Sequence, residues 1–137
     1  MIAILLAAAA MQPPAAGWQA DDRSVAWRAA EGAPPFLRIR CRSGGLELFG
    51  PAAPDAMPSV PTRVTFRHGD DHVTLVAVPV DTDDGLVFSV PVRASELPIV
   101  TLLAGNALTI GQGDQSVDVP GAGAPAVLAP LVQACRR

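Results

Sequence analysis

Few residues in this chain have the types and spacing to do chemistry, and arginines dominate them. Arg38, Arg40 and Arg42 alternate with Leu37, Ile39 and Cys41. Alternation with period two puts the three guanidiniums on one face of a strand and the apolar groups on the other. A guanidinium is a planar, permanently charged fork of N–H donors that matches carboxylate and phosphate geometry. The row therefore reads as the contact for an anionic partner. Arg63 and Arg67 project in the same way from a second strand, around Val64 and Phe66. If the two faces coincide, all five guanidiniums share one surface. The competing reading is an ordinary charged outer face, paired partly with Glu47 and nearby aspartates.

Two further clusters carry metal-ligand types. His68 and His72 enclose Gly69-Asp-Asp71. Imidazole and carboxylate together make a zinc or copper ligand set. The same residues also make a solvated hairpin tip, in which Gly and Asp serve the turn, and no third ligand can be named. Asp81-Thr-Asp-Asp-Gly85 begins like a calcium loop, but Val92 stands where the loop needs its last glutamate, and the flanks read as β. The turn reading is preferred. Catalysis has little to stand on. The chain has no Lys and no Tyr, and all 10 basic residues are Arg. That excludes a P-loop lysine, a Schiff base, a Ser–Lys dyad and a tyrosine acid. Glu31, Glu47 and Glu96 are scattered, and no Gly-x-Ser-x-Gly, Asp-Thr-Gly or HExxH motif is present. The expectation is a protein with no catalytic residues, no cofactor and no metal. A net charge of −3 argues against a nucleic-acid binder.

The cysteines are Cys41 and Cys135. A bridge between them would close a loop spanning most of the chain, worth at most about 4–5 kcal/mol by loop entropy. Cys41 lies on an apolar strand face. Cys135 lies at helical spacing with Val127, Leu128, Leu131 and Val132. Burying both faces brings the thiols together, so a disulfide is expected; two buried free thiols are the alternative. No CxxC or CxxH partner supports a metal site at either cysteine.

The elements that must position these residues follow from the pattern. Residues 1–16 open with an apolar run, Met1–Met11, followed by small residues and no charge before Asp21. The run is about half the roughly 20 residues that a membrane span needs. It has the size of a signal-peptide h-region, with cleavage after Ala10 or Ala16, although no Lys or Arg precedes it. Residues 17–137 then read as one β-rich domain, of a size that allows a single core. Strands are expected over 24–28, 36–42, 46–49, 62–68, 72–80, 86–92, 107–111 and 115–119. The segment 50–61 holds four prolines and is expected as an extended, mobile loop. Pro79 and Pro91 mark edge positions or bulges. A short helix is expected near 95–105, with Ser95 as its N-cap, and a C-terminal helix over 126–135 kinked or restarted by Pro130. The fold class is mainly β (α+β): a compact antiparallel β-sandwich or barrel-like domain carrying those two helices.

The order of features is familiar. Trp27 precedes a strand carrying Cys41. Strand pairs follow, then Leu-Leu-Ala-Gly-Asn-Ala-Leu-Thr-Ile over 102–110, Val-Asp-Val-Pro-Gly over 117–121, and a terminal Ala/Leu helix ending in Cys135. This resembles the small exported proteins of the invasion-associated locus B type, and more loosely type VI secretion-associated periplasmic proteins. The resemblance implies a compact β-rich domain outside the cytoplasm, with no catalytic site. The expectation is a non-catalytic periplasmic or secreted binding or accessory protein of the cell envelope. Its partner would be an envelope protein or an anionic envelope component, met through Arg38, Arg40 and Arg42. The mature chain would have no transmembrane segment. The alternative is a small periplasmic metal-binding protein or hydrolase centred on His68 and His72.

Overall fold

The structure is a computed structural model that describes residues 15–21 and 23–136. Nine strands form one antiparallel sheet: β1 (Gly17–Asp21), β2 (Ser24–Arg28), β3 (Leu37–Arg42), β4 (Gly45–Pro51), β5 (Thr62–His68), β6 (Asp71–Thr82), β7 (Gly85–Val92), β8 (Leu108–Gln112) and β9 (Gln115–Val119). Their order across the sheet is β1-β2-β3-β4-β7-β6-β5-β8-β9. The sheet curls into a half-barrel, so the barrel-like architecture is the one adopted. The proposed leader, Met1–Ala16, lies outside the described residues except for Ala15 and Ala16.

Alternation decides which way each strand faces. Leu37 and Ile39 of β3, Leu46 and Leu48 of β4, Phe88 and Val90 of β7, and Val64 and Phe66 of β5 are fully buried on the concave side. Two helices fill that concavity, α1 (Leu97–Leu103) and α2 (Ala124–Cys135). Ile99 and Leu102 of α1 and Leu128 of α2 are fully buried there. Burying one such side chain is worth roughly 1.5–3 kcal/mol, and this shared interior holds the sheet in its curl.

Three local expectations are corrected. Glu96, not Ser95, is the N-cap of α1; it makes no side-chain cap, and its Oε1 instead accepts the Arg93 N–H at 3.0 Å. Pro130 does not restart α2, which runs as one helix from Ala124 to Cys135. Proline removes a helical donor to the carbonyl four residues back. Here that carbonyl belongs to Ala126, and both Ala126 and Pro130 are exposed, so water can take the bond. The 50–61 loop is tied to the sheet near both its ends. Ala52 N–H donates to Leu86 O at 3.0 Å and Ser59 N–H to Pro79 O at 3.0 Å. Gln112 clamps the loop from across the sheet, accepting from Ala53 N–H at 3.1 Å and donating to Pro51 O at 2.9 Å.

Pro79 sits where β6 changes partner. Residues 71–77 of β6 pair with β5 and residues 78–82 with β7. A strand residue's N–H and C=O point to the same side. The Pro79 carbonyl accepts from Ser59, so its missing N–H faces the loop and costs no bond to β7. Opposite Pro91, the pairing of β7 with β6 has already ended at Val78↔Ser89. Both prolines mark this seam.

One strand escapes the sequence pattern. Gly17–Asp21 is five residues long and only Trp18 and Ala20 in it are apolar, neither of them fully buried, yet it pairs with β2 along its whole length. Trp18 Nε1–H donates to Pro120 O at 2.7 Å, tying this edge strand to the segment between β9 and α2.

Candidate functional site

Cys41 and Cys135 form a disulfide, with Cα atoms 5.3 Å apart. The bridge pins the last turn of α2 to β3, the strand whose other face carries the arginines. Register places those arginines on the convex face. Ser24, Arg40, Glu47 and Pro91 form one row across β2, β3, β4 and β7. Arg38 lies in the next row, between Ala26 and Phe49.

Glu47 organises the row because it stands directly across from Arg40. Arg40 donates to Glu47 Oε1 from Nε at 3.1 Å and from Nη2 at 3.0 Å. Ser89 Oγ–H donates to Glu47 Oε2 at 2.7 Å. The Arg40 guanidinium also lies over the Phe49 ring, 4.7 Å from its centroid. Arg42 pairs with Glu47 at 3.7 Å and Arg38 with Asp21 at 3.8 Å. Both separations exceed hydrogen-bond distance, so these two ion pairs leave guanidinium N–H donors unspent. Arg38 also donates to Ser24 Oγ at 3.4 Å.

An open depression of about 670 Å³ lies over this row, lined by Asp21, Arg23, Ser24, Arg38, Arg40, Cys41, Arg42 and Glu47. Four arginines face two carboxylates there. Arg23 is the member that strand alternation misses. It occupies the β1–β2 turn with φ 62°, a left-handed conformation uncommon for a residue with a side chain. On the other side of Arg38 and Arg40 lies a second depression, of about 460 Å³, which includes Pro35, Phe49, Pro51, Leu86 and Val87. Arg38 and Arg40 thus divide a polar hollow from a largely apolar one.

Arg63 and Arg67 do share the convex face with the β3 row. Four strand spacings separate β5 from β3, about 19 Å along the sheet. The five guanidiniums form two patches, with Val76, Val78 and Val80 of β6 exposed between them.

The histidines are not brought together. His68 pairs with Asp71 and His72 with Arg67. His68 follows Val64 and Phe66 on the concave side of β5, and its Nδ1 lies 3.3 Å from Ala107 O. His72 stands on the convex side beside Arg67. The hairpin thus directs the two imidazoles to opposite faces. Among the described residues, no group of three or more His, Cys, Asp or Glu could hold a metal ion. Asp81-Thr-Asp-Asp-Gly85 is the end of the β6–β7 hairpin, with Asp83-Asp84 as its turn, closed by Thr82 Oγ1–H donating to Gly85 O at 2.8 Å. No described helix is long and apolar enough to cross a membrane. No protein-family model, curated protein or solved structure matches the chain.

Proposed function

We propose that the chain is a non-catalytic binding or accessory protein of the cell envelope, exported to the periplasm or secreted. Its partner contact is the β3 arginine row, Arg38, Arg40 and Arg42. The observation that carries this reading is the depression in which four arginines face two carboxylates, with an apolar hollow on its flank. Fixed guanidiniums beside Phe49, Pro51 and Leu86 suit a partner that brings acidic groups together with apolar surface, as an acidic protein segment does. The Cys41–Cys135 bridge is compatible with an oxidising compartment. The reading agrees with the resemblance to small exported proteins of the invasion-associated locus B type.

The test must spare Arg40, because removing it takes both guanidinium hydrogen bonds from the Glu47 carboxylate. Arg38→Ser/Arg42→Ser leaves the Arg40–Glu47 pair in place and should shift stability by no more than about 1 kcal/mol. Capture of partners from an envelope extract by the immobilised, oxidised protein should fall in this variant. It should also weaken with added salt, because exposed charges are screened within about 8–10 Å at physiological ionic strength. Capture at the wild-type level by the variant would refute the β3 contact.

A further inference from the structure

We propose a second binding site, on the convex face of β5, β8 and β9, that takes an acidic polysaccharide. It is separate from the β3 row and does not depend on it. A hollow of about 500 Å³ is lined there by Arg63, Arg67, four hydroxyl side chains, Gln115, Asp114 and two glycines, with no apolar side chain in its wall.

Register explains the shape. Thr65 lies at the centre of β5's outer face, with Thr74 beside it on β6 and Gly111 beside it on β8. Ser116 of β9 lies beyond Gly111. Gly111 leaves the floor bare: a Cβ there would meet nothing closer than 3.8 Å, so a side chain would stand in the hollow. Arg63 and Arg67 border this row, one on each side of Thr65.

Among the described residues, neither arginine has a carboxylate within ion-pair distance. The positions directly across from them are Val76, His72 and Thr109, none of them acidic. The carboxylate in Arg67's own row, Asp118, lies one strand further out and accepts the Thr109 hydroxyl at 2.6 Å. The site therefore offers two guanidiniums without ion-pair partners among the described residues, about 13 Å apart along the strand. Between them lies a floor of hydroxyls. Thr65 and Thr74 bond each other at 2.9 Å. A hydroxyl has one donor and two acceptor positions, so both keep capacity for a ligand. Asp114 adds an acceptor for a ligand hydroxyl. A ligand complementary to this surface is extended, carries repeated acidic groups and is hydroxylated between them. That is the chemistry of a uronate-containing polysaccharide, and hydroxyl-free polyanions lack half of it.

Calorimetric titration of the full, oxidised protein tests the site, using a short oligogalacturonate, a neutral dextran oligosaccharide and polyglutamate. Oligogalacturonate should bind, and the other two should bind at least about tenfold more weakly. Arg63→Ser/Arg67→Ser should lose at least about tenfold in affinity. Gly111→Val should lose as much, because it fills the floor without changing charge and suits a strand. Arg38→Ser/Arg42→Ser should bind as the wild type does. The proposal is overturned if the wild type does not bind, if polyglutamate or dextran binds equally well, if Gly111→Val binds normally, or if the loss follows the β3 variant.

Discussion

Arg40 and Arg67 occupy equivalent places. Each projects from the convex face of the same sheet, and each has neighbouring strands on both sides. Across from Arg40 stands Glu47, and the pair closes at 3.0 Å. Across from Arg67 stand His72 and Thr109, and Arg67 has no carboxylate partner among the described residues. One cross-strand residue therefore decides what a surface arginine does. The β3 row is held in position by Glu47 and keeps only part of its charge for a partner; the apolar hollow beside it supplies the rest of a contact. The β5 row keeps its full charge and lies beside hydroxyls. Two rows that look alike in sequence thus have different chemistry.

The largest effect expected on this comparison comes from removing the staple beneath one row. Cys135→Ser should cost about 2–4 kcal/mol in urea unfolding. Hydrogen exchange should rise in α2 and β3 while β5 and β8 keep their protection, so the β3 row loses its footing and the β5 row does not. An unchanged midpoint would mean that the helix packing alone holds this half. Next in size is Glu47→Gln, which weakens the acceptor for Arg40, Arg42 and Ser89 together. It should cost about 1–2 kcal/mol, discounted because the arginines are partly solvated. Gln112→Ala should cost about 1 kcal/mol and raise exchange at Ala53, since both backbone bonds of the 50–61 loop to that amide are lost. The smallest effects belong to the other row. Arg63→Ser and Arg67→Ser should each stay within about 0.5 kcal/mol of wild type, as substitutions of unpaired surface residues do. If either cost as much as Glu47→Gln, Arg63 or Arg67 would have a structural partner and the contrast would fail.

Much of this was legible in the sequence, for identifiable reasons. The strands from Leu37 to Val92 announce themselves because each has one wet and one buried face, and the alternation of Arg38, Arg40 and Arg42 with Leu37 and Ile39 is the direct imprint of that. The disulfide followed from two apolar faces that had to be buried together. Strand β1 was missed because its alternation is only two apolar residues long, Trp18 and Ala20, and neither is fully buried; pairing with β2 and the Trp18 bond to Pro120 hold it instead. Arg23 was missed because it sits in a turn, where alternation is silent. The 50–61 loop looked loose because prolines forbid a central strand; its anchor, Gln112, lies 59 residues away from Ala53 in the chain. The separation of the five arginines into two patches required the strand order. In sequence β5 is the next strand after β4, but β7 and β6 lie between them in the sheet.

The reactivities of individual arginines separate the two rows directly. The intact, oxidised protein would be treated with limiting phenylglyoxal, and the modified positions quantified by peptide mass spectrometry, with and without oligogalacturonate. Arg63 and Arg67 should react well ahead of Arg40, and oligogalacturonate should protect Arg63 and Arg67 while leaving Arg38 and Arg42 reactive. Arg40 reacting as fast as Arg63 and Arg67, or protection falling on the β3 row instead, would contradict that separation.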